Sequence, residues 1–394
     1  MSQFYFPLIV LLTILAIVLR EDHVFTVLYL FAGAYLASLW WSRTSLGSIQ
    51  VVRNFSKRAF LNEEVPVELE LANTGYLPVP WLRLNEALSV ELLVPNFFRC
   101  VISLGSKEQL RLHYTLRTRK RGYYPIGPLA LTSGDLLGMT GPVKTLYPLE
   151  YITVYPKIIP LSNIPLSSHS PMGTLRHHEP IFEDPTRIRG KRDYVAGDSL
   201  RRIDWKSTAV TGRLQVKLFE PSIALETMLF LDLGESQYLL KDRLQATELA
   251  IVVAASIASW VVSKKQSVGL VTNGVDPLAA DGPPHPLLPR KGRGQLIRVL
   301  EALARLQTTE AEPLTDIVRR VSANLPWGTT LILITGQVGE NLFDELFQAR
   351  RSGLDSFLVL CGTGQRYSET RRQAEYFGFP VFHFADEQDL DVWR

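Results

Sequence analysis

The sequence predicts a multidomain protein: a transmembrane helical hairpin, a small β-sandwich and an α/β domain of the doubly wound class. Two apolar runs, residues 4–19 and 24–41, are separated by the charged segment REDH, residues 20–23. From Ile49 to about Pro156, short segments alternate with a period of two and end at turn residues. After residue 225, strand and helix patterns alternate, which is typical of a parallel sheet covered on both faces. The predicted boundaries are 1–43, 44–159, 160–224 and 225–394.

The two apolar runs have the length of membrane spans. At ~1.5 Å per residue they reach ~24 and ~27 Å, close to a ~30 Å hydrocarbon core. Tyr5, Trp40 and Trp41 supply anchors for the membrane interface. A cleaved signal peptide would have a basic start and a small-residue cleavage site, and a buried soluble hairpin would have polar residues at helical spacing. The sequence has neither pattern, so we predict a two-span anchor in contact with membrane lipid.

Basic residues set the predicted orientation of this anchor. The turn has one arginine against two acids, whereas four basic residues follow the second run: Arg43, Arg53, Lys57 and Arg58. The positive-inside rule then places both ends, and the remaining chain, in the cytoplasm. Cys100 and Cys361 are far apart and flanked by apolar or strand-forming residues, which indicates reduced thiols. We therefore expect an inner- or plasma-membrane protein with cytoplasmic domains.

The β-rich part is predicted to be an immunoglobulin-like sandwich. VPVELELAN (65–73) and QLRLHYTLRT (109–118) alternate apolar and polar residues, and further short strands follow without helical periodicity. Its expected role is a spacer between the bilayer and the α/β domain. Residues 160–186 are rich in Pro, Ser and His and predict a linker.

The first strand of the α/β domain ends in LDLGES, at the sheet edge where such domains bind ligands. Asp232, Gly234 and Ser236 resemble the metal-dependent adhesion site of von Willebrand factor A-like domains. Such a site needs a serine at the middle position and an acid after a later strand, because Mg²⁺ prefers an octahedron of oxygen ligands. Gly234 replaces that serine, and the later strand ends LILITGQ without an acid. We expect a metal-free site, with Asp232, Ser236 and Glu235 as the candidates for an alternative metal-dependent binding or hydrolase function.

Other catalytic and cofactor motifs are missing from the sequence. It contains neither a G-x-x-x-x-G-K-[ST] phosphate loop nor a G-x-S-x-G nucleophile motif. HHEPIFED (177–184) is interpreted as a surface loop, because neighbouring side chains of an extended chain point to opposite sides. A net charge of +3 is too small to indicate a nucleic-acid partner. We expect no cofactor, no nucleic-acid partner and no enzymatic activity.

The most charged stretch is RGKRDYVAGDSLRRIDWKSTAVTGRLQVK, residues 189–217. Its three aspartates recur every five to six residues among the basic residues, which favours ion pairs inside the protein. Trp205 offers a surface for cation–π contact or a buried plug, and Leu214, Val216 and Leu218 are expected on one strand face. Three interpretations remain open: an internal latch or docking platform, a direct interface with a partner protein, and an anion or catalytic site. The third would use Arg192, Arg201 and Arg202 to read a nucleotide or another anion.

Two segments, RKRGYYPIGPLALTSGDLLGM and RDYVAGDSLRRIDWKSTAVTGRLQVKLFEPS, resemble the signatures of the domain of unknown function 58 family. The residues that carry the resemblance are Arg192, Asp193, Tyr194, Gly197, Asp198, Arg201, Ile203, Asp204 and Trp205. The resemblance extends over nearly the whole chain after the apolar runs. Val210 stands where a basic residue is common, which weakens the interpretation as an anion site.

The resemblance implies a degenerate von Willebrand factor A-like domain and a partner. Such proteins are membrane-anchored companions of cytoplasmic MoxR-type AAA+ ATPases and of related membrane proteins, with no defined biochemical activity. The sequence thus predicts a non-enzymatic adaptor or scaffold that presents its α/β domain to such an ATPase. Metal-dependent binding through Asp232 and Ser236, and anion sensing through the arginines, are the alternatives.

Overall fold

The computed structural model describes residues 5–19, 21–93, 98–134, 142–162, 164, 183–221, 226–279, 284–310, 312–363 and 367–393. The chain divides into two compact units. One consists of the residues up to Lys157 with Leu300–Arg305, and the other of Ile158–Val299 with Leu306–Arg394.

Two apolar helices begin the first unit, α1 (Tyr5–Leu19) and α2 (Asp22–Gly47). Helix α2 is long and apolar enough to cross a membrane, and α1 is a shorter apolar helix that contacts it. Most of their large apolar side chains are exposed, as expected of helices that associate with lipid. The predicted pair of apolar helices is confirmed, and it makes this a membrane-associated protein.

The end of α2 is part of the domain that follows it. Leu46 is buried in the core of the β-rich domain. The Trp41 indole Nε1 donates a hydrogen bond to the carbonyl oxygen of Pro78 at 3.2 Å. Helix α2 therefore runs without a break from the apolar run onto the surface of the next domain.

The β-rich domain is a sandwich of two sheets. Its strands are β1 (Ile49–Phe55), β2 (Arg58–Phe60), β3 (Glu64–Asn73), β4 (Val79–Leu88), β5 (Leu92–Leu93), β6 (Arg99–Leu104), β7 (Gln109–Thr118), β8 (Gly122–Ser133), β9 (Val143–Tyr147) and β10 (Glu150–Tyr155). One sheet has the order β1-β3-β7-β5, and the other β2-β10-β8-β4-β6 with β9 beside β8. Alternate residues of β3 face a core shared by both sheets, as the period of two predicts. The β-rich domain is thus confirmed, while its immunoglobulin-like topology stays a prediction.

Residues 183–221 form a separate two-stranded sheet with a connecting segment between the strands. Strands β11 (Glu183–Asp193) and β12 (Gln215–Pro221) pair antiparallel, with Asp193 opposite Gln215. A 3₁₀ turn (Leu200–Arg202) and the short helix α3 (Trp205–Thr211) lie between the strands. Ile203 and Val216 form its small buried centre. Most of HHEPIFED falls outside the described residues.

The α/β domain has a six-stranded sheet. Its strands are β13 (Glu226–Leu231), β14 (Ser267–Thr272), β15 (Leu287–Arg290), β16 (Thr330–Thr335), β17 (Asp355–Cys361) and β18 (Val381–Phe384). Its helices are α4 (Arg243–Ser263), α5 (Arg293–Arg305), α6 (Leu314–Ser322), α7 (Glu340–Arg351) and α8 (Tyr367–Phe377). The sheet order is β15-β14-β13-β16-β17-β18, and the strands are parallel except β15.

This sheet is fully covered, and its order fixes where a ligand could sit. Every residue of β14 and β16 is buried. Helix α4, although apolar and long enough for a membrane span, is mostly buried and is a core helix. Chain order reverses between β13 and β16, so the carboxyl ends of these two strands form the switch point of a doubly wound sheet.

Candidate functional site

A buried carboxylate occupies the switch point. Asp232 follows β13 directly and is almost completely buried. Its Oδ1 accepts hydrogen bonds from the Asn273 Nδ2 at 2.7 Å and from the Gly234 amide at 3.0 Å. Its Oδ2 accepts from the Thr335 hydroxyl at 3.0 Å. Burial raises the pKa of Asp232, while these three donors act in the opposite direction.

The donors come from the ends of neighbouring strands, so Asp232 joins three strands. Asn273 follows β14, and Thr335 is the last residue of β16. The Asn273 amide is used fully: its oxygen accepts from the Leu233 amide at 2.7 Å, and its nitrogen also donates to the Glu312 carbonyl at 3.2 Å. Such a satisfied network of buried polar groups holds its members in one arrangement.

A tyrosine closes the crevice beside Asp232. The Tyr238 hydroxyl donates to the carbonyl oxygen of Asp232 at 2.7 Å, and its ring is buried. Gly336 packs against this segment so closely that a Cβ there would lie 2.5 Å from both the Gln237 carbonyl oxygen and the Tyr238 ring. A cleft of about 10 Å³, roughly the space of one water molecule, lies next to Tyr238 and is lined by Gln237, Gly336 and Cys361.

The geometry does not fit the metal that the adhesion-site resemblance implies. Both oxygens of Asp232 already accept protein donors. Ser236 is exposed and contacts Gln237, and the Glu235 carboxylate pairs with Arg243. Across the described ranges, no group of three or more His, Cys, Asp or Glu side chains is arranged to hold a metal ion. The structure thus brings Asp232 together with Asn273 and Thr335, and not with Ser236.

Exposed leucines lie next to this closed edge. Leu240 precedes α4 and Leu244 is in its first turn, and their exposed fractions are 82% and 68%. Both follow Tyr238 by a few residues, and Arg243 between them carries the ion pair to Glu235. The segment that seals the crevice therefore also presents apolar surface to its surroundings.

The charged segment forms the β11–β12 hairpin, and its ion pairs lie inside that hairpin. The guanidinium of Arg192 contacts both oxygens of Asp198, at 2.7 and 2.6 Å. Asp198 also accepts the Val195 amide at 2.9 Å, which closes the turn containing Gly197 at φ 111°. The hydrogen bond from Arg192 lowers the pKa of Asp198 and raises that of Arg192.

The other two aspartates are also engaged within the hairpin. Asp204 caps α3 by accepting the Ser207 amide at 3.1 Å, and it pairs with the Lys191 ammonium at 2.8 Å. The Lys191 hydrogen bond, with that of Ser207, lowers the pKa of Asp204 to about 2. Asp193 accepts a hydrogen bond from the Gln215 side chain, its partner across the strands. Asp198 and Asp204 thus form the expected ion pairs within the hairpin, whereas Asp193 is hydrogen-bonded to Gln215.

Two details of this segment differ from the expectation. Trp205 is 68% exposed, so it is not a buried plug, because it lies at the outer start of α3. Leu214 precedes β12, and both Leu214 and Leu218 are exposed while Val216 is buried. Arg201 and Arg202 lie on the exposed 3₁₀ turn. The backbone amide of Tyr194 donates a hydrogen bond to the carbonyl oxygen of Leu214 at 2.8 Å.

A further polar cluster, inside the β-sandwich, was not predicted from the sequence. Arg53 on β1 pairs with Glu86 on β4 and with Glu150 on β10. The Tyr114 hydroxyl donates to Glu86, and burial is the main cause that raises the pKa of Tyr114. These residues fit the ordinary alternation of polar and apolar residues along a strand, so the sequence pattern does not indicate that they form a cluster. The same holds for Asn273 and Thr335, although each stands at a strand end where functional side chains are sought.

Fold and site together define a class: a membrane-associated protein with a β-rich domain and an α/β domain whose buried strand-end carboxylate accepts hydrogen bonds from protein donors on both oxygens. Residues 190–348 match the family described as "Protein of unknown function DUF58", which confirms the family resemblance over that part of the chain. The matched range is shorter than the resemblance suggested, since it begins within β11 and ends within α7.

A curated relative and several solved structures are similar to parts of the chain. "Uncharacterized protein YeaD" of Bacillus subtilis (strain 168) is 26% identical over 169 residues, which are 43% of this chain and 40% of the relative. The match therefore spans about two fifths of that relative's length.

An aerotolerance-related membrane protein from Bacteroides fragilis covers 43% of this chain and 96% of its own, at 12% identity and a TM-score of 0.31. The CARDB domain of a Pyrococcus furiosus protein covers 27% and 86%, at 17% identity and a TM-score of 0.19. Likenesses at these TM-scores do not establish a common fold.

Proposed function

We propose that this protein is a membrane-anchored, non-enzymatic adaptor that presents its α/β domain to a cytoplasmic AAA+ ATPase of the MoxR type. The anchor is the α1–α2 pair, with both spans crossing the membrane and the remaining chain in the cytoplasm. The partner class comes from the family resemblance. The sheet edge at Asp232 is the surface we assign to the contact.

The observation that carries the proposal is the state of Asp232. A catalytic or metal-binding carboxylate needs at least one oxygen open to a substrate or ion. Here both oxygens accept donors from Asn273, Gly234 and Thr335, and Tyr238 closes the crevice above them. This arrangement supports a scaffold rather than a reaction centre.

The α/β domain itself supports an assignment to the von Willebrand factor A-like type. Its sheet is doubly wound, one edge strand is antiparallel, and an aspartate follows the first strand. The position of that aspartate corresponds to the adhesion site, but its hydrogen bonds replace a metal shell. Partner binding at this edge would then proceed without a divalent cation.

Leu240 and Leu244 supply apolar surface at the same edge. Protein interfaces bury a few apolar anchors at their centre, and the exposed fractions of 82% and 68% make these leucines suitable. The hairpin contributes rigidity in this proposal: Arg192–Asp198 and Lys191–Asp204 hold one conformation of the charged segment.

The test is capture of a purified MoxR-like ATPase by the full chain in detergent. We expect the double substitution Leu240→Asp and Leu244→Asp to weaken binding on the order of 10- to 100-fold, as for two interface anchors of ~1 kcal/mol or more each. Tyr376→Asp is the matched control, because Tyr376 on α8 is 86% exposed. EDTA should leave binding unchanged.

Two results would contradict the proposal. One is binding by the double variant that equals the binding of the wild type. The other is turnover of a small molecule by the purified chain alone, lost in Asp232→Ala. Either result would remove the sheet edge as a metal-independent docking surface.

A further inference from the structure

We propose that the tip of the β11–β12 hairpin binds the surface of an anionic membrane. The tip is defined as residues 194–214, the excursion between the paired residues Asp193 and Gln215. The inference goes beyond the adaptor function and concerns a different surface from Leu240 and Leu244. It does not depend on an ATPase partner.

The tip exposes more apolar side chains than it buries. Ile203 is its buried large apolar residue, whereas five others are exposed: Val195, Leu200, Trp205, Val210 and Leu214. The exposed fraction reaches 82% at Val210 and 68% at Trp205. These five side chains give the tip exposed apolar area that a membrane could cover.

Exposed basic residues are neighbours of these apolar residues in the sequence. Arg201, Lys206 and Arg213 are exposed members of the same excursion. The two carboxylates of the tip are neutralised within the hairpin, Asp198 by Arg192 and Asp204 by Lys191. The tip therefore meets an anionic surface with basic side chains and without an unpaired carboxylate to repel it.

The combination of residues favours lipid over a protein partner. At the centre of a protein interface Lys is depleted, whereas Trp and Arg are enriched, so Lys206 beside Trp205 is the discriminating feature. Segments that lie in the membrane interface instead combine Trp and Leu with Lys and Arg, since the rings and aliphatic chains enter the headgroup region while the cations meet anionic lipid. Trp205 beside Lys206, and Leu200 beside Arg201, have this second composition.

The apolar helices of the same chain make even a weak surface affinity effective. A chain held at the membrane keeps its other segments at a high local concentration near lipid. Each basic residue near an anionic surface contributes about fivefold to the binding constant. Three exposed basic residues and an inserted Trp are then sufficient for a tethered tip.

The test places a fluorescent probe on the tip of the full chain. Val210→Cys, in a background of Cys100→Ser and Cys361→Ala, is labelled with nitrobenzoxadiazole and reconstituted into vesicles. We expect a blue shift and quenching by nitroxide-labelled lipid in vesicles that contain phosphatidylglycerol. Neither should occur in phosphatidylcholine alone, and high salt should reverse both. The matched control is Tyr376→Cys, which should stay unquenched in both.

Charge variants distinguish lipid binding from unfolding of the tip. Arg201→Gln, Lys206→Gln and Arg213→Gln should each lower the lipid-bound fraction, with a loss of about fivefold in the binding constant per removed charge. Equal quenching at positions 210 and 376 in the anionic vesicles would overturn the proposal. A blue shift at position 210 that needs an added protein partner would overturn it as well and would identify a protein interface instead.

Discussion

Arg53 Nη2 lies 2.5 Å from Glu86 Oε1 inside the β-sandwich, and the exposed fractions of the two side chains are 4% and 0%. The pair joins strand β1 of one sheet to strand β4 of the other. Glu86 Oε2 accepts the Tyr114 hydroxyl at 2.5 Å, and Arg53 Nη1 reaches Glu150 at 3.0 Å. Within the described part of the chain, the Arg53 Nε has no acceptor. One guanidinium thus serves two carboxylates that come from different strands.

Removing one partner of this ion pair should destabilise the sandwich strongly. Arg53→Met leaves the Glu86 carboxylate buried without a cation, and breaking a buried pair in this way costs ~3–5 kcal/mol of the free energy of unfolding. The double variant Arg53→Met and Glu86→Leu should recover much of that loss, because no buried charge is left. Urea denaturation of the detergent-solubilised chain, followed by tryptophan fluorescence, measures both.

An exposed ion pair provides the comparison. Arg111 lies 3.1 Å from Glu70, and its side chain is 67% exposed, so Arg111→Met should cost ~1 kcal/mol or less. Equal losses in Arg53→Met and Arg111→Met would show that the sandwich does not depend on its buried pair.

Asp232→Ala should destabilise the α/β domain even though Asp232 binds no ligand in our proposal. The substitution leaves the Asn273 amide, the Gly234 N–H and the Thr335 hydroxyl without their acceptor. Buried donors without a partner cost ~1–3 kcal/mol each, and local rearrangement offsets part of this, so we expect a loss of ~2–4 kcal/mol. Thermal unfolding of purified protein measures it.

Ser236→Ala is the control for that experiment. Ser236 is exposed, and among the described residues its hydroxyl meets the Gln237 side chain alone, at 3.4 Å, so its removal should change the free energy of unfolding by less than ~0.5 kcal/mol. Mg²⁺ or Mn²⁺ should leave the melting temperature of the wild type unchanged. A metal-induced rise that disappears in both Asp232→Ala and Ser236→Ala would instead establish a metal site.

Periodicity was sufficient for the sequence to predict most of the secondary structure. Strand β3 alternates buried and less buried residues, and the fully buried β14 and β16 are interior strands of the six-stranded sheet. The short antiparallel β15 was missed, because its four residues, LLPR, include a proline and follow a turn-rich segment. The family signature also identified the Arg, Asp and Trp residues of the β11–β12 hairpin, which lie within the matched residues 190–348.

Long-range pairing was beyond what the sequence could predict. Arg53 was counted among the residues that set membrane orientation, yet it is buried against Glu86. Nothing local distinguishes it from Arg43, because its partners are contributed by strands far along the chain. Asn273 and Thr335 acquire their role through the sheet order, which brings three separate strand ends beside Asp232.

Acid should release the cap of α3 through Asp204. The pKa of its carboxyl is lowered from 3.8 to about 2, first by the Lys191 hydrogen bond and then by the Ser207 amide. A lowered pKa in the folded state means that the stabilisation is complete above the unfolded value and is lost as the pH falls through about 2. The side-chain carboxyl ¹³C shift of Asp204 should therefore titrate below its ordinary range.

Lys191→Gln tests the cause of that shift. The substitution removes the ammonium 2.8 Å from Asp204 Oδ2, so the pKa of Asp204 should rise toward 3.8 while the Ser207 amide still holds it somewhat below. An unchanged titration in Lys191→Gln would mean that the α3 cap, rather than the ion pair, sets the protonation of Asp204.

Cysteine labelling should establish the proposed orientation of the anchor. In a background of Cys100→Ser and Cys361→Ala, Asp22→Cys lies at the first residue of α2, beside the short turn between the two helices, and Tyr76→Cys lies on the exposed surface of the β-rich domain. If both helices span the membrane with the domains in the cytoplasm, a membrane-impermeant maleimide added to intact spheroplasts should label position 22. Position 76 should react only after lysis. Labelling of position 76 in intact spheroplasts would reverse the orientation, and labelling of neither position before lysis would mean that α1 and α2 do not both cross the bilayer.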